Sequence, residues 1–347
     1  MKKVCVIGHF GFGKEMLNGQ TVKTKTVTAE LEKHYGEDQV AKIDTHGGLR
    51  VLPKVIKLML RGFAKCENII IFPAHNGVRV FAPLCAFHNQ FYHRKLHYVV
   101  IGGWLPELTK GNAVLRSALK KLNYIYVETS TMKRSLEKQG FKNVVVLPNF
   151  KDLRILPESE LVYPQGEPYR LCTFSRVMKE KGIGDAVEAV KAVNEKLGRT
   201  AFALDIFGQV DSGQTDWFER LTESFPEYIH YRGCVPFNKS VGILKDYFCL
   251  LFPTRFFTEG IPGTILDAYA AGVPVISARW ESFSDVVDDG VTGIGFDFCN
   301  QSDLEKTLYK VANEPDLVLE KKKSCVSVAR KYTPNEAMCV LYRRFTR

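Results

Sequence analysis

A chain of 347 residues is long for one hydrophobic core and suits two domains. With 45% hydrophobic and 25% charged residues and no run of about 18 apolar ones, it is neither disordered nor membrane-spanning, and Met1-Lys2-Lys3 leads into a strand pattern rather than a signal sequence, so a cytoplasmic protein is expected. The net charge of +10 is uneven: residues 1–150 hold 23 Lys and Arg against 10 Asp and Glu, and residues 151–347 hold 25 against 28. A basic half suits nucleic acid or an anionic membrane face. No RNA-binding signature, basic helix-turn-helix pattern or interleaved aromatic platform is present, so no nucleic acid partner is expected. The nine cysteines, Cys5, Cys66, Cys85 and Cys172 among them, show neither CxxC nor zinc spacing and read as reduced thiols.

In chain order, a first strand over Lys3–Gly8 runs into Gly8-x4-Gly13-Lys14, a phosphate-loop signature but for one position. That motif needs Ser or Thr next, for Mg²⁺, and Glu15 sets an anion there instead, so an NTPase is not expected. Gly8, Gly11 and Gly13 also miss the GxGxxG spacing, and no acid stands near residue 28 at the end of a second strand, which sets aside a dinucleotide-binding oxidoreductase. Gly19-Gln20-Thr21 then precede a helix over Thr21–His34, with Gly19 permitting close backbone approach and the Gln20 and Thr21 N–H groups opening towards an anion. The stretch Arg50–Lys65 alternates Lys54, Lys57, Arg61 and Lys65 with Val55, Ile56, Leu58, Met59, Leu60 and Phe63 at helical spacing. Such a helix can lie on anionic lipid or be an ordinary surface helix of an α/β domain. "NIIIFP", "HYVVIGG", "YIYVET" and "NVVVLPN" continue the strands, with a helix over Leu115–Leu122.

The polar, Pro-containing residues 151–167 read as a linker between a first domain, 1–150, and a second, 168–330. Alternation then resumes with "YRLCTFS", "FALDIFG", "YIHYRGCV", "FCLLFP", "VPVISA" and "TGIGFDF" as strands and helices between them. Residues 331–347 contain a helical pattern expected to pack back on the first domain. The fold class is α/β: two Rossmann-like doubly wound domains, whose carboxyl-end crevices are expected to face a central cleft.

The most informative stretch is Phe248–Trp280, a buried strand, a loop through "EGIPG", a helix from about Thr264, and another buried strand. The loop is expected to leave the N–H groups of Gly263, Thr264 and Ile265 free at a helix N-terminus, an anion site, with Glu259 and Asp267 facing the same mouth. Phosphate flanked by hydroxyl-rich groups, as in a nucleotide-sugar, suits that arrangement; acids that only cap and solvate a loop are the plainer alternative.

Glu259-x7-Asp267 followed by "AYAAGVPVI" resembles the E-x7-E signature of family 4 retaining glycosyltransferases of the GT-B fold, with Asp for the usual second Glu and Pro262 where Gly is common. "FSRVMKEKGI", "LDIFGQ", "GCV", "VTGIGFDF" and "VVVLPNF" are similar to further family segments, in order. The resemblance implies sugar transfer from a nucleotide-sugar with retention, without a metal or other cofactor, a UDP-sugar being favoured over a GDP-sugar. Arg176 and Lys181 would hold the diphosphate, Glu259 the sugar hydroxyls, Asp267 the ribose, and the backbone around Phe207, Gly208 and Val235 the base. Gly19, Gln20 and Thr21 would lie opposite. The acceptor would be a glycan or a lipid-linked sugar, with the protein peripheral on the inner membrane face through its basic half. The family's first-domain His is missing from "VVIGGW", where Gly102-Gly103-Trp104 stand. His75 could substitute, a satisfied structural histidine being the plainer reading. An inactive nucleotide-sugar sensor or scaffold is the competing function, and Asp267 gives it some support.

Overall fold

The computed structural model describes residues 1–13 and 19–345; Lys14 and Glu15, which decide the phosphate-loop motif, lie outside the described residues. The chain forms two units, Met1–Asn149 with the segment from Pro334, and Phe150–Thr333.

The first unit is built on a six-stranded sheet: β1 (Lys2–Gly8), β2 (Val40–Asp44), β3 (Cys66–Ile71), β4 (Lys95–Val99), β5 (Tyr124–Val127) and β6 (Val144–Val146), in the order β2-β1-β3-β4-β5-β6. All pairings are parallel. Val, Ile and Cys runs such as Val4–Ile7 and Ile69–Ile71 are buried because helices cover both faces of such a sheet. The last helix, Pro334–Phe345, packs within this unit. The Tyr342 hydroxyl donates to the Glu30 carbonyl at 3.0 Å, and the Tyr342 ring stacks on His34 at 3.9 Å.

β2 and the helix His75–Tyr92 are among the elements of this unit with no counterpart in the sequence reading. β2 is short, and Lys42 interrupts its apolar pattern by turning outward to Glu32. Its end carries Asp44, so an acid does stand at the end of the second strand. That carboxylate accepts from the N–H groups of Phe10, Phe12 and His46 at 2.9–3.1 Å, and these bonds hold the turn after β1. The helix His75–Tyr92 contains Pro83 and Gly77, which disguise its periodicity.

The second unit repeats the plan with β7 (Tyr169–Phe174), β8 (Phe202–Phe207), β9 (Ile229–Gly233), β10 (Cys249–Phe252), β11 (Val275–Ala278) and β12 (Gly293–Phe296), ordered β12-β11-β10-β7-β8-β9 and all parallel. Strand order reverses between β7 and β10, so the loops leaving those two strands diverge to opposite faces and open a crevice between them. Residues 151–167 are not a free tether. Leu153, Ile155, Leu156 and Leu161 pack on this unit's core, and the Leu156 N–H donates to the Ala270 carbonyl at 2.9 Å.

Candidate functional site

The loops after β7 and β10 carry the site. Beyond β7, Lys179–Lys181 form one 3₁₀ turn closed by Gly182 at φ 71°, where a Cβ would lie 1.9 Å from the Pro253 carbonyl oxygen. Only glycine permits that approach, and it locks the Lys181 turn against the end of β10. Gly208, at φ 135°, does the same for the backbone of Ser175, whose carbonyl oxygen a Cβ would meet at 1.8 Å.

The Lys181 ammonium donates to a Glu259 carboxylate oxygen at 2.7 Å, and the Thr254 hydroxyl donates to the same oxygen at 3.2 Å. Its nitrogen lies 5.0 Å from the Phe256 ring centre and 5.6 Å from that of Phe252, so aromatic faces hold the cation where water is scarce. The structure thus brings together two sequence-predicted residues 78 positions apart. Arg176 is half exposed and pairs with another acid, its Nη1 3.4 Å from the Asp211 carboxylate.

The helix after the β10 loop runs Gly263–Ala270. The Gly263 and Thr264 N–H groups have no acceptor among the described residues, as the first turn of a helix leaves them. Ile265 departs from the expected trio: its N–H donates to the Pro262 carbonyl at 3.1 Å, because Pro262 caps the turn. Asp267 is buried, and the Lys151 ammonium bridges both its oxygens at 2.6 and 2.5 Å. Burial holds its carboxyl above the ordinary range, against the opposite pull of Lys151 and the Ser240 hydroxyl. Sequence reasoning missed Lys151; it lies 116 residues from its partner, in the stretch read as linker.

The expected base-binding backbone is largely engaged inside the chain. The Phe207 carbonyl accepts from the Ser175 N–H, the Gly208 N–H donates to the Gly233 carbonyl, and the Gly208 carbonyl accepts from the Tyr231 hydroxyl. Of the three residues, half-buried Val235 alone keeps backbone groups without a partner among the described residues. Among the described residues no group of three or more His, Cys, Asp or Glu could hold a metal ion.

In the first unit Gly19 opens the helix Gly19–Tyr35, and a Cβ there would meet nothing within 4 Å among the described residues. The Gln20 amide donates to the Phe72 carbonyl at 3.0 Å, and the buried Thr21 hydroxyl lies 2.8 Å from His9 Nδ1. His75 is exposed, its ring edge-on to Trp104 at 5.2 Å, so it is not a satisfied core histidine.

The basic helix, Leu52–Lys65, turns Val55, Met59 and Phe63 into the core and leaves Lys54, Lys57, Arg61 and Lys65 exposed. Its apolar face is therefore used by the domain. Exposed apolar side chains stand instead on the neighbouring helices His75–Tyr92 and Ala113–Lys120, with Phe87 at 56%, Phe91 at 70% and Val114 at 73% exposure. No described helix is long and apolar enough to cross a membrane.

Residues 168–314 match the family model described as glycosyl transferases group 1. With two parallel six-stranded α/β units, the chain has the GT-B fold, and the family match lies within its second unit. A solved structure of Anabaena Alr3699/HepE in complex with UDP and glucose matches with a TM-score of 0.73 at 12% identity, covering 98% of this chain and 97% of that one. A putative colanic acid biosynthesis glycosyltransferase, WcaL of Salmonella typhimurium, is 28% identical over 137 residues, 37% of this chain and 32% of that protein. Alpha-monoglucosyldiacylglycerol synthase of Acholeplasma laidlawii is 30% identical over 149 residues, 42% of this chain and 35% of that protein. The matched part thus spans about a third of the length of these curated relatives.

Proposed function

We propose that the chain is a retaining glycosyltransferase that moves a sugar from a nucleotide-sugar, UDP-linked in the first instance, to a glycan or lipid-linked acceptor in polysaccharide or glycolipid synthesis. The observation that carries this reading is the Lys181–Glu259 pair at the crevice between the ends of β7 and β10. An arriving diphosphate takes over the Lys181 ammonium and frees Glu259 to accept from sugar hydroxyls. Arg176, on a mobile-length side chain at the same strand end, adds a second cation, and together they stabilise the charge that builds on the departing nucleoside diphosphate. Front-face attack lets that leaving phosphate take the acceptor's proton, so no side-chain nucleophile and no metal are needed. The UDP and glucose held by the HepE structure, and the glycosyltransferase and synthase activities named for the two relatives, support the reading.

Its test is thermal denaturation with UDP-, GDP- and ADP-sugars: a bound donor raises the melting temperature by mass action, UDP-sugars most. No shift with any of them removes the donor assignment, and a shift without turnover favours a sensor or scaffold.

The acceptor side faces an anionic membrane at its cytoplasmic surface. Residues 45–127 contain only two acids, Glu67 and Glu107, and Lys54, Lys57, Arg61 and Lys65 are exposed beside Phe87, Phe91 and Val114. The lysines and arginines supply long-range attraction and the two phenylalanines insert, with a groove of about 440 Å³ between Phe87, Val114 and Lys121. The protein is expected to sediment with vesicles containing phosphatidylglycerol, to be released by salt, and to lose binding on Phe87→Ser/Phe91→Ser; absent or salt-insensitive binding removes the membrane claim.

A further inference from the structure

Lys151 and Asp267 form a buried ion pair, their side chains 11% and 6% exposed, with one ammonium bridging both carboxylate oxygens. The lysine stem runs beside Gly263, the first residue of the helix, where an added Cβ would lie 3.6 Å from Cδ and 4.0 Å from Nζ. A cation is thereby fixed at the positive end of a helix whose first two N–H groups have no acceptor among the described residues. That is the wrong sign for the helix by itself. It becomes favourable when an anion sits there too, because cation, helix dipole and free N–H groups all then point at the same charge. Stability does not explain the pair, since a buried pair of this kind is commonly matched by apolar side chains of similar volume.

We propose that Lys151, positioned by Asp267, is a further phosphate-contacting cation of the donor site. The inference rests on the nucleotide-sugar reading and deepens it. Asp267, one methylene shorter than the usual Glu, no longer serves chiefly to accept from ribose hydroxyls; it anchors a cation that the diphosphate reaches. Lys181, on the turn after β7, and Lys151, beside the start of the helix Gly263–Ala270, then both face the diphosphate.

The test is calorimetric titration of UDP into the full chain and into Lys151→Met, Lys151→Arg and the double variant Lys151→Met/Asp267→Asn, each with its melting temperature. Lys151→Met is expected to weaken UDP binding by about 10- to 100-fold, the loss of one charge-assisted contact, and to melt earlier because Asp267 is left buried without its partner. Lys151→Arg keeps the charge and stays within about threefold. The double variant, with both charges gone, regains the melting temperature but not the affinity. A double variant that regains both shows a structural pair and overturns the inference, as does Lys151→Met binding UDP like the wild type. Failure of the wild type to bind any nucleoside diphosphate instead overturns the donor reading on which the inference stands, and the inference with it.

Discussion

Lys181→Met is expected to lower the rate of sugar transfer at saturating donor by about 10²- to 10³-fold, the scale on which a preorganised group facing developing charge contributes. The Lys181 nitrogen is held by Glu259 at 2.7 Å and lies against two aromatic faces, so the cation stands in the crevice before any ligand arrives and exchanges its carboxylate partner for the diphosphate. Methionine keeps the stem and the aromatic packing and removes only the charge. Glu259→Gln separates the two halves of the pair: it leaves the cation in place and removes an acceptor for sugar hydroxyls, so the donor's sugar is held less well while UDP itself binds at least as tightly. Initial rates with saturating donor, set beside UDP affinities for both variants, check this. A Lys181→Met enzyme within about threefold of the wild-type rate would place the leaving-group cation elsewhere.

Gly182→Ala is expected to destabilise the second unit by about 3 kcal/mol or more, the sum of left-handed backbone strain and a collision that has no soft partner. The φ of 71° alone does not account for this, and Gly198 supplies the control. It also sits at positive φ, 65°, at the end of the helix Ile183–Leu197, but a Cβ there meets nothing within 4 Å. Gly198→Ala should therefore cost about 1 kcal/mol, strain alone. At Gly182 the new methyl group faces the Pro253 carbonyl at 1.9 Å, and either the Lys181 turn or the end of β10 must move. Since those two segments carry Lys181 and Glu259, donor affinity falls with stability. Urea denaturation of the two alanine variants decides the matter, and equal losses for both would mean that the close approach at Gly182 carries no energetic weight.

The sequence disclosed most of the fold because central parallel strands, buried on both faces, read as short apolar runs between amphipathic stretches. "VCVI", "NIII", "YIYV" and "CLLF" all fall on strands. β2 escaped for the opposite reason: as an edge strand with an outward Lys42 it needs apolar residues on little of its length. The helix His75–Tyr92 escaped because Pro83 lies inside it. In the site, Lys181 and Glu259 were legible since each stands at a fixed step from a strand end, and strand ends are what an α/β pattern marks best. Lys151 was not, because a lysine in a stretch without periodicity gives no sign of a carboxylate 116 residues away. The internal partners of the Phe207 and Gly208 backbone were hidden for a related reason: hydrogen bonds to Ser175, Gly233 and Tyr231 are made by chain folding, and nothing local in "DIFGQ" announces them.

The central claim is that the crevice between the ends of β7 and β10 holds a nucleoside diphosphate through Lys181. Calorimetric titration of UDP, GDP, ADP and NAD into the wild type and Lys181→Met tests it most directly. Binding of a nucleoside diphosphate, UDP most tightly, that weakens at least about tenfold in Lys181→Met is the predicted result. Binding of NAD with no nucleoside diphosphate, or UDP binding unchanged in the variant, would contradict it.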